Sequence, residues 1–346
     1  MKALPSAPAP SLPAMFPQAL SSLETPPASM VRTSFSSENP FSRAGWSAIS
    51  RWLGYDRIHE FNGGLGNQMF QYAMAFGLQA KFPARVGVDI RCYGPYSDHN
   101  GWEICQVFSM PDRFPAVSPG RGRVAYRMAK WLRKVTREVD ELSFKEEILA
   151  SSHHGYIRGY WPTYKYSLHV EETLRRNFTF SRPLAGVDAL LEKMNHPDSV
   201  GVHIRRGDYM TSANSSHFGG ICTAAYYDAA LKRVYGQIAN PRIFIFSDDL
   251  DWCRKTFADR GFTFVEGNRG KDSWKDMALF SKCSHHVIAN SSFSWWGMWL
   301  ANRRGSSLRI GPQRLVNPGR FVHEIRDLLE EDVVIIDAQG RKVEGV

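Results

Sequence analysis

Short apolar runs alternate with helix-length segments through the second half of this chain, and no other feature of the sequence limits the fold so tightly. Ser199–Ile204, Arg242–Phe246, Phe262–Val265, His286–Ala289 and Ser307–Ile310 read as strands, and Thr223–Tyr235, Leu250–Asp259, Ser273–Ser281 and Phe293–Asn302 read as the helices between them. A strand that returns through a helix lies parallel to its predecessor, with helices covering both sheet faces, so the expected class is α/β. The first half opens alike: a strand at Tyr55–Phe61, a glycine turn at Asn62–Gly66, a helix at Asn67–Lys81 and a second strand at Arg85–Ile90. Gly155–Trp161 reads as a further strand. Ligands of such sheets settle beyond the carboxyl ends of the strands, so the residues that follow each run are the candidates for function.

At 346 residues the chain exceeds the usual size of one domain and favours two medium domains or one large α/β domain. The first 40 residues hold eight of the 19 prolines together with eight serines, a composition that neither sustains a helix nor buries a core. Folded structure is therefore expected to begin near Tyr55, with residues 1–54 a disordered leader. Val287–Ala301 comes nearest to a membrane span and is interrupted by Asn290, Ser291, Ser292 and Ser294; the amino terminus lacks the residue order of a secretory signal. The cysteines at 92, 105, 222, 253 and 283 form no C-x-x-C pair, which suggests neither a disulfide framework nor a zinc knuckle. A reducing, cytoplasmic location is expected.

The excess of 43 Lys+Arg over 34 Asp+Glu, a formal +9, favours anionic partners without choosing among them. Part of it is concentrated. Between Arg113 and Arg137 there are eight basic residues and no acidic one, while Val124, Met128, Trp131, Leu132 and Val135 recur at helical spacing. A solvated helix packed on its domain and a peripheral contact with anionic lipid, at the inner face of the plasma membrane, both fit this pattern. No recognisable RNA-binding signature accompanies it, so no nucleic-acid partner is expected.

Four constellations follow strands. Gly63-Gly64-Leu65-Gly66-Asn67-Gln68 removes Cβ atoms beside a helix start and adds two amides, which suits an anion, although plain glycine turns of this kind are common. It is not the dinucleotide fingerprint, because Met69 stands where that fingerprint needs a third glycine. His203-Ile204-Arg205-Arg206-Gly207-Asp208-Tyr209 offers two forked guanidinium groups to a diphosphate, or an Arg–Asp pair that merely fixes a turn. In Phe246-Ser247-Asp248-Asp249, Asp248 or Asp249 suits a guanine edge or a ribose hydroxyl; helix capping is the simpler account. Asn290-Ser291-Ser292-Phe293-Ser294-Trp295-Trp296 can complete a phosphate nest, with the tryptophans packing the helix or stacking on a sugar, or can be an N-cap followed by buried aromatics. His153-His154 and His285-His286 lack metal-ligand spacing.

Taken together over Arg57–Ile336, GGLGNQMFQYA (Gly63–Ala73), HIRRGDY (His203–Tyr209), FSDD (Phe246–Asp249) and ANSSFSWWGMWL (Ala289–Leu300) resemble the family 11 glycosyltransferases, the α-1,2-fucosyltransferases, of the bacterial type. The resemblance implies a variant GT-B architecture: two Rossmann-like halves with a nucleotide-sugar cleft between them, an acceptor-side domain at 55–180 and a GDP-fucose-binding domain at 181–346. It implies inverting transfer of L-fucose from GDP-fucose to a hydroxyl of a glycan acceptor, O2 of a galactoside, with no metal and no cofactor beyond the donor. Arg205 would grip the β-phosphate, and Arg206 would brace Asp208 or the rim of the phosphate. His203 and one of Asp248 and Asp249 would lie near the nucleoside, Ser291 or Ser292 near the diphosphate with Asn290 beside them, and Gly64, Gly66, Asn67 and Gln68 would reach across to the donor. Asp208 is the candidate proton acceptor. The family motif often has glutamine after Gly-Tyr-Trp, where this chain has Pro162-Thr163. Three other readings stand beside this one: a metal-dependent transferase using Asp249 and Asp251, a non-catalytic polyanion- or glycan-binding protein using 113–137, and a transferase of fucose to protein.

Overall fold

The computed structural model describes residues 40–94, 99–138, 142–302, 307–319 and 324–344. Two parallel sheets organise them. The first joins β1 (Arg57–Glu60), β2 (Val86–Asp89), β3 (Val135–Arg137) and β4 (Gly155–Arg158) in the order β2-β1-β4-β3. The second joins β5 (Ser199–Ile204), β6 (Arg242–Ser247), β7 (Thr263–Phe264), β8 (His285–Val287), β9 (Arg309–Pro312) and β10 (Val334–Ile336) in the order β10-β9-β8-β5-β6-β7. Every pairing between these strands is parallel. The strand order reverses between β1 and β4 in one sheet and between β5 and β8 in the other. Each reversal opens a crevice at the carboxyl ends, where such folds take ligands. The expected two-halved, variant GT-B layout is what the chain adopts.

The helices that matter for the site are α1 (Pro40–Leu53), α2 (Leu65–Lys81), α3 (Pro119–Trp131), α4 (Ala224–Gln237), α5 (Leu250–Thr256), α6 (Trp274–Phe280) and α7 (Ser292–Leu300). Val200, Val202 and Ile204 alternate onto one face of β5 and pack with Tyr226, Tyr227, Leu231 and Val234 of α4. On the other side the two halves share a core, since Phe61, Met69 and Phe70 of the first half cluster with Phe246, Phe280, Trp295 and Trp296 of the second. The Phe70 ring lies 4.7 Å from that of Trp295 and 4.9 Å from that of Trp296. Both tryptophans are buried packing residues, and the indole of Trp295 donates to the Leu328 carbonyl at 2.6 Å.

Three expectations change. Residues 1–39 lie outside the described residues, but 40–53 is not part of a leader: it is helix α1, whose Trp46, Ser50 and Leu53 fall on one buried stripe at helical spacing. The Trp46 indole donates to the Asp56 carbonyl at 2.8 Å, and the stripe packs near Ile58 and Tyr156, so the ordered fold starts well before Tyr55. In the basic segment the buried stripe of α3 is Gly122, Ala125 and Ala129, whereas Val124 and Trp131 face outward and Val135 belongs to β3. A Cβ on Gly122 would fall 2.7 Å from Asp89 Oδ2 and 2.9 Å from Arg91 Nε, and Ala125 and Ala129 pack in the cluster of Trp46 and Leu53 from α1 and Tyr156 from β4. The strand expected through Trp161 ends at Arg158, and Trp161 has a left-handed backbone at φ 53°. Among the described residues no helix is long and apolar enough to cross a membrane.

Gly66, at the start of α2, touches the start of α7. A Cβ there would lie 2.6 Å from the Ser292 carbonyl carbon and 2.7 Å from the Phe293 nitrogen, backbone atoms that cannot rotate away. Gly66→Ala is expected to lower unfolding stability by about 1–3 kcal/mol, the usual cost of forcing a group into a packed contact, read by urea denaturation; wild-type stability would show that the two helix starts are not in contact.

Candidate active site

Arg205 leaves the end of β5 into the crevice of the second sheet. Its Nε lies 2.8 Å from Asp208 Oδ1 and its Nη1 3.1 Å from Asp248 Oδ2. Burial works against the cation, but the Asp248 and Asp208 carboxylates outweigh it and raise the Arg205 pKa, so its charge is secure. The guanidinium also lies 5.7 Å from the Tyr209 ring, and the Tyr209 hydroxyl donates to the Asn290 carbonyl at 3.1 Å. Arg206 turns the other way: its Nε meets Asp249 Oδ2 at 3.1 Å and its guanidinium covers the Trp252 ring at 4.1 Å. Asp208 is thus held by Arg205 and not by Arg206. Asp248 also accepts the Arg206 backbone N–H at 2.9 Å, and Asp249 caps α5 by accepting from Trp252 N at 3.1 Å. Asp249 and Asp251 have separate partners, Arg206 for one and Arg254 for the other.

His203 lies behind Arg205, buried against Phe293 and Phe280 with ring separations of 5.7 and 6.2 Å. Burial, aided by the Arg205 charge, pushes its pKa down to about 3, so the imidazole is neutral. Its Nδ1 has no hydrogen-bond partner among the described residues. A buried ring nitrogen at the mouth of a crevice without a partner is a position a ligand can satisfy.

The glycine loop meets this wall through α7. Ser292 Oγ donates to Asn67 Oδ1 at 2.8 Å, directly beside the contact of Gly66 with Ser292 and Phe293. The starts of α2 and α7 therefore converge, and Arg205 connects to the loop through Tyr209, Asn290 and Ser292. Several amides expected at the donor are already occupied. Gln68 donates to the Gly63 and Gly101 carbonyls at 3.1 and 2.9 Å and accepts from Glu103 N and Ile104 N at 3.0 and 3.1 Å, which exhausts an amide side chain. Asn290 donates to the Phe218 and Leu315 carbonyls at 3.2 and 3.1 Å. Gln68 thereby ties the Gly63 and Gly101 loops together, and the Asn290 Nδ2 ties its turn to Phe218 and Leu315. Gly64 keeps an extended backbone at the loop's tip, and Ser291 is the buried residue preceding α7.

The crevice of the first sheet carries charge that sequence patterning did not single out. The Tyr156 hydroxyl lies 2.7 Å from Asp89 Oδ2 and 3.1 Å from Glu60 Oε2, with one proton to share between them, Arg91 pairs with Asp89 at 2.7 Å, and Arg158 pairs with Glu60 at 2.7 Å. Beyond β3, Glu138 accepts from the backbone N–H groups of Tyr160 at 2.7 Å and Trp161 at 3.0 Å, bracing the left-handed turn. Burial pushes the Glu138 carboxyl up to about 7 against these hydrogen bonds. Glu60, Asp89 and Arg158 each close a short strand, a signal that strand-end inspection could have used; Glu138 was hidden because β3 reads as the tail of a helix. The Tyr93 hydroxyl donates to the Gly63 carbonyl at 3.0 Å, so this crevice adjoins the glycine loop. A separate cavity of about 750 Å³ lies at the opposite, amino ends of β5 and β8, lined by Asn195, His196, Lys282 and His285 and by none of the crevice residues.

Residues 114–317 match the model of the family described as Glycosyl transferase family 11. An alpha-1,2-colitosyltransferase of Escherichia coli is 32% identical over 253 residues, covering 69% of this chain and 86% of that protein. Galactoside 2-alpha-L-fucosyltransferase Sec1 of Mus musculus is 28% identical over 246 residues, covering 69% of this chain and 62% of its own length. Among solved structures, fucosyltransferase NodZ from Bradyrhizobium aligns over 71% of this chain and 92% of its own, at 17% identity and a TM-score of 0.45.

Because the fold depresses the His203 pKa, protonation favours the unfolded chain: the contribution is intact above the ordinary histidine value of 6.5 and is lost as pH falls towards about 3. An NMR titration is expected to show no His203 protonation between pH 5 and 8, whereas a titration midpoint near 6.5 would mean that the ring is solvated.

Proposed function

The chain belongs to glycosyl transferase family 11, and from that membership we propose that it transfers L-fucose, with inversion, from GDP-fucose to a hydroxyl of a glycan, O2 of a galactoside. The observation that carries this reading is the position of Arg205: a secure cation held by two aspartates at the reversal point of a parallel sheet, beside the orphan His203 nitrogen and the paired starts of α2 and α7. Departure of GDP builds negative charge on the β-phosphate. A guanidinium already fixed by two aspartates meets that charge without reorganising. Asp208 and Asp248 act here by aiming Arg205. His203, Asp249, Ser291 and Ser292 complete the donor wall in this reading, with Arg206 holding Asp249 in place.

The acceptor then lies over the first-sheet crevice, with Glu138 as proton acceptor, since its basicity is near neutral and the backbone N–H groups of Tyr160 and Trp161 fix its carboxylate. No metal has a part in this scheme, and a peripheral contact with anionic lipid through 113–137 belongs to the same reading. The names of relatives divide between fucose and colitose, so the deciding assay is a screen of GDP-fucose, GDP-colitose, GDP-mannose and UDP-galactose against simple galactosides, with linkage analysis of the product. Turnover with UDP-galactose alone, or turnover that needs manganese, would replace the reading.

Arg205→Ala is expected to reduce transfer about a hundredfold or more, the usual loss for one preorganised donor, in a chain that remains folded by circular dichroism. Arg205→Lys should not rescue it, because an ammonium cannot span two aspartates and a phosphate. Glu138→Gln should lower kcat at least about tenfold, leave GDP affinity unchanged and remove a rise in kcat through pH 7, since the base acts when deprotonated. A variant that kept that rise would assign the proton to another group.

A further inference from the structure

The outward face of α1 and α3 is apolar and cationic at once. Trp52 is 59% exposed, Trp131 75% and Val124 39%, three of the seven exposed large apolar side chains among the described residues. Within α3, Val124, Arg127 and Trp131 fall on one outer line at helical spacing, opposite the buried Gly122, Ala125 and Ala129. The two helices run antiparallel. Ser42, in the first turn of α1, donates to the Leu132 carbonyl just past the end of α3, and Trp52, in the last turn of α1, meets the Arg121 guanidinium of the first turn of α3 at 6.0 Å. The two exposed indoles therefore stand at opposite ends of the pair, separated by roughly 20 Å along helices of this length. Arg121, Arg123, Arg127, Lys130 and Arg133 are exposed on or just beyond α3, Arg43 and Arg51 on α1, and neither 40–53 nor 113–137 contains an acidic residue.

We propose that this face is a docking surface for an anionic lipid bilayer, lying flat with Trp52 and Trp131 in the headgroup layer and the arginines on lipid phosphates. It deepens the lipid contact of the proposed function, and it does not depend on which sugar is transferred. Charge complementarity selects an anionic partner, and widely spaced indoles with an exposed valine between them suit the amphipathic boundary of a membrane, where tryptophan gains most. Burial of Trp46, Leu53 and the small stripe of α3 shows that the fold has already satisfied its own core, so the outward tryptophans are not spare packing residues.

The test is co-sedimentation of the full chain with vesicles of phosphatidylglycerol and phosphatidylcholine against vesicles of phosphatidylcholine alone. Binding is expected only with the anionic vesicles and should disappear in high salt. Trp52→Ala combined with Trp131→Ala, and separately Arg123→Glu combined with Arg127→Glu, should each reduce the partition coefficient about tenfold or more, with GDP affinity and transfer to a soluble acceptor unchanged. Equal binding to both vesicle types, wild-type binding by the tryptophan pair, or binding of RNA in place of vesicles would overturn the proposal. If the wild type shows no transfer but still sediments as described, the donor reading fails and this one stands.

Discussion

The contact between Gly66 and the Ser292–Phe293 backbone is the constraint on which the rest of the site depends. Each half of the molecule builds a parallel sheet with a crevice at its strand-order reversal, and neither crevice alone brings the glycine loop to the wall that carries Arg205. Removing one side chain at Gly66 lets two helix starts touch, and the Ser292–Asn67 hydrogen bond fixes their register. Behind that contact, Phe70 packs on Trp295 and Trp296 and makes the joint part of one hydrophobic core. A joint of this kind resists opening because separation would expose several large aromatics together.

The charges around Arg205 and Arg206 follow a consistent logic. Two arginines face three aspartates, so the cluster is not a strongly positive trap. Each carboxylate instead fixes an orientation: Asp208 and Asp248 hold two different nitrogens of Arg205, while Asp249 divides its oxygens between Arg206 and the start of α5. Orientation is the useful property for stabilising a leaving group, because a cation that must first swing into place spends part of its effect on reorganisation. The buried, neutral His203 behind it fits the same economy, adding an unsatisfied nitrogen without adding charge.

Much of this was legible in the sequence because strands that alternate with helices leave a strong periodic trace. Ser199–Ile204 was read to the residue, and β6, β8 and α2 lie within two residues of the segments expected. The four constellations all follow strands, and two of them, at Gly66–Asn67 and Ser292–Phe293, form the joint. What patterning missed has physical causes. Helix α1 follows a proline-rich stretch and is held by tertiary contacts of Trp46, which composition cannot reveal. The strand β3 is three residues long and continues an apolar spacing that mimics a helix. On α3, glycine and alanine take the inner face, where Gly122 lies against Asp89 and Arg91 and the alanines pack with Trp46 and Leu53, contacts that spacing along the chain does not reveal. Gln68 and Asn290 suit a ligand by residue type, and no local rule predicts that Gln68 also binds the Gly101 carbonyl or Asn290 the Leu315 carbonyl.

The account's central claim is that one donor pocket forms where the two crevices meet. The structure of the chain bound to GDP tests it most directly. The β-phosphate is expected within hydrogen-bonding distance of the Arg205 guanidinium, with the Gly63–Gly66 loop on its other side. GDP bound instead in the cavity at the amino ends of β5 and β8, beside His196 and His285, would contradict it.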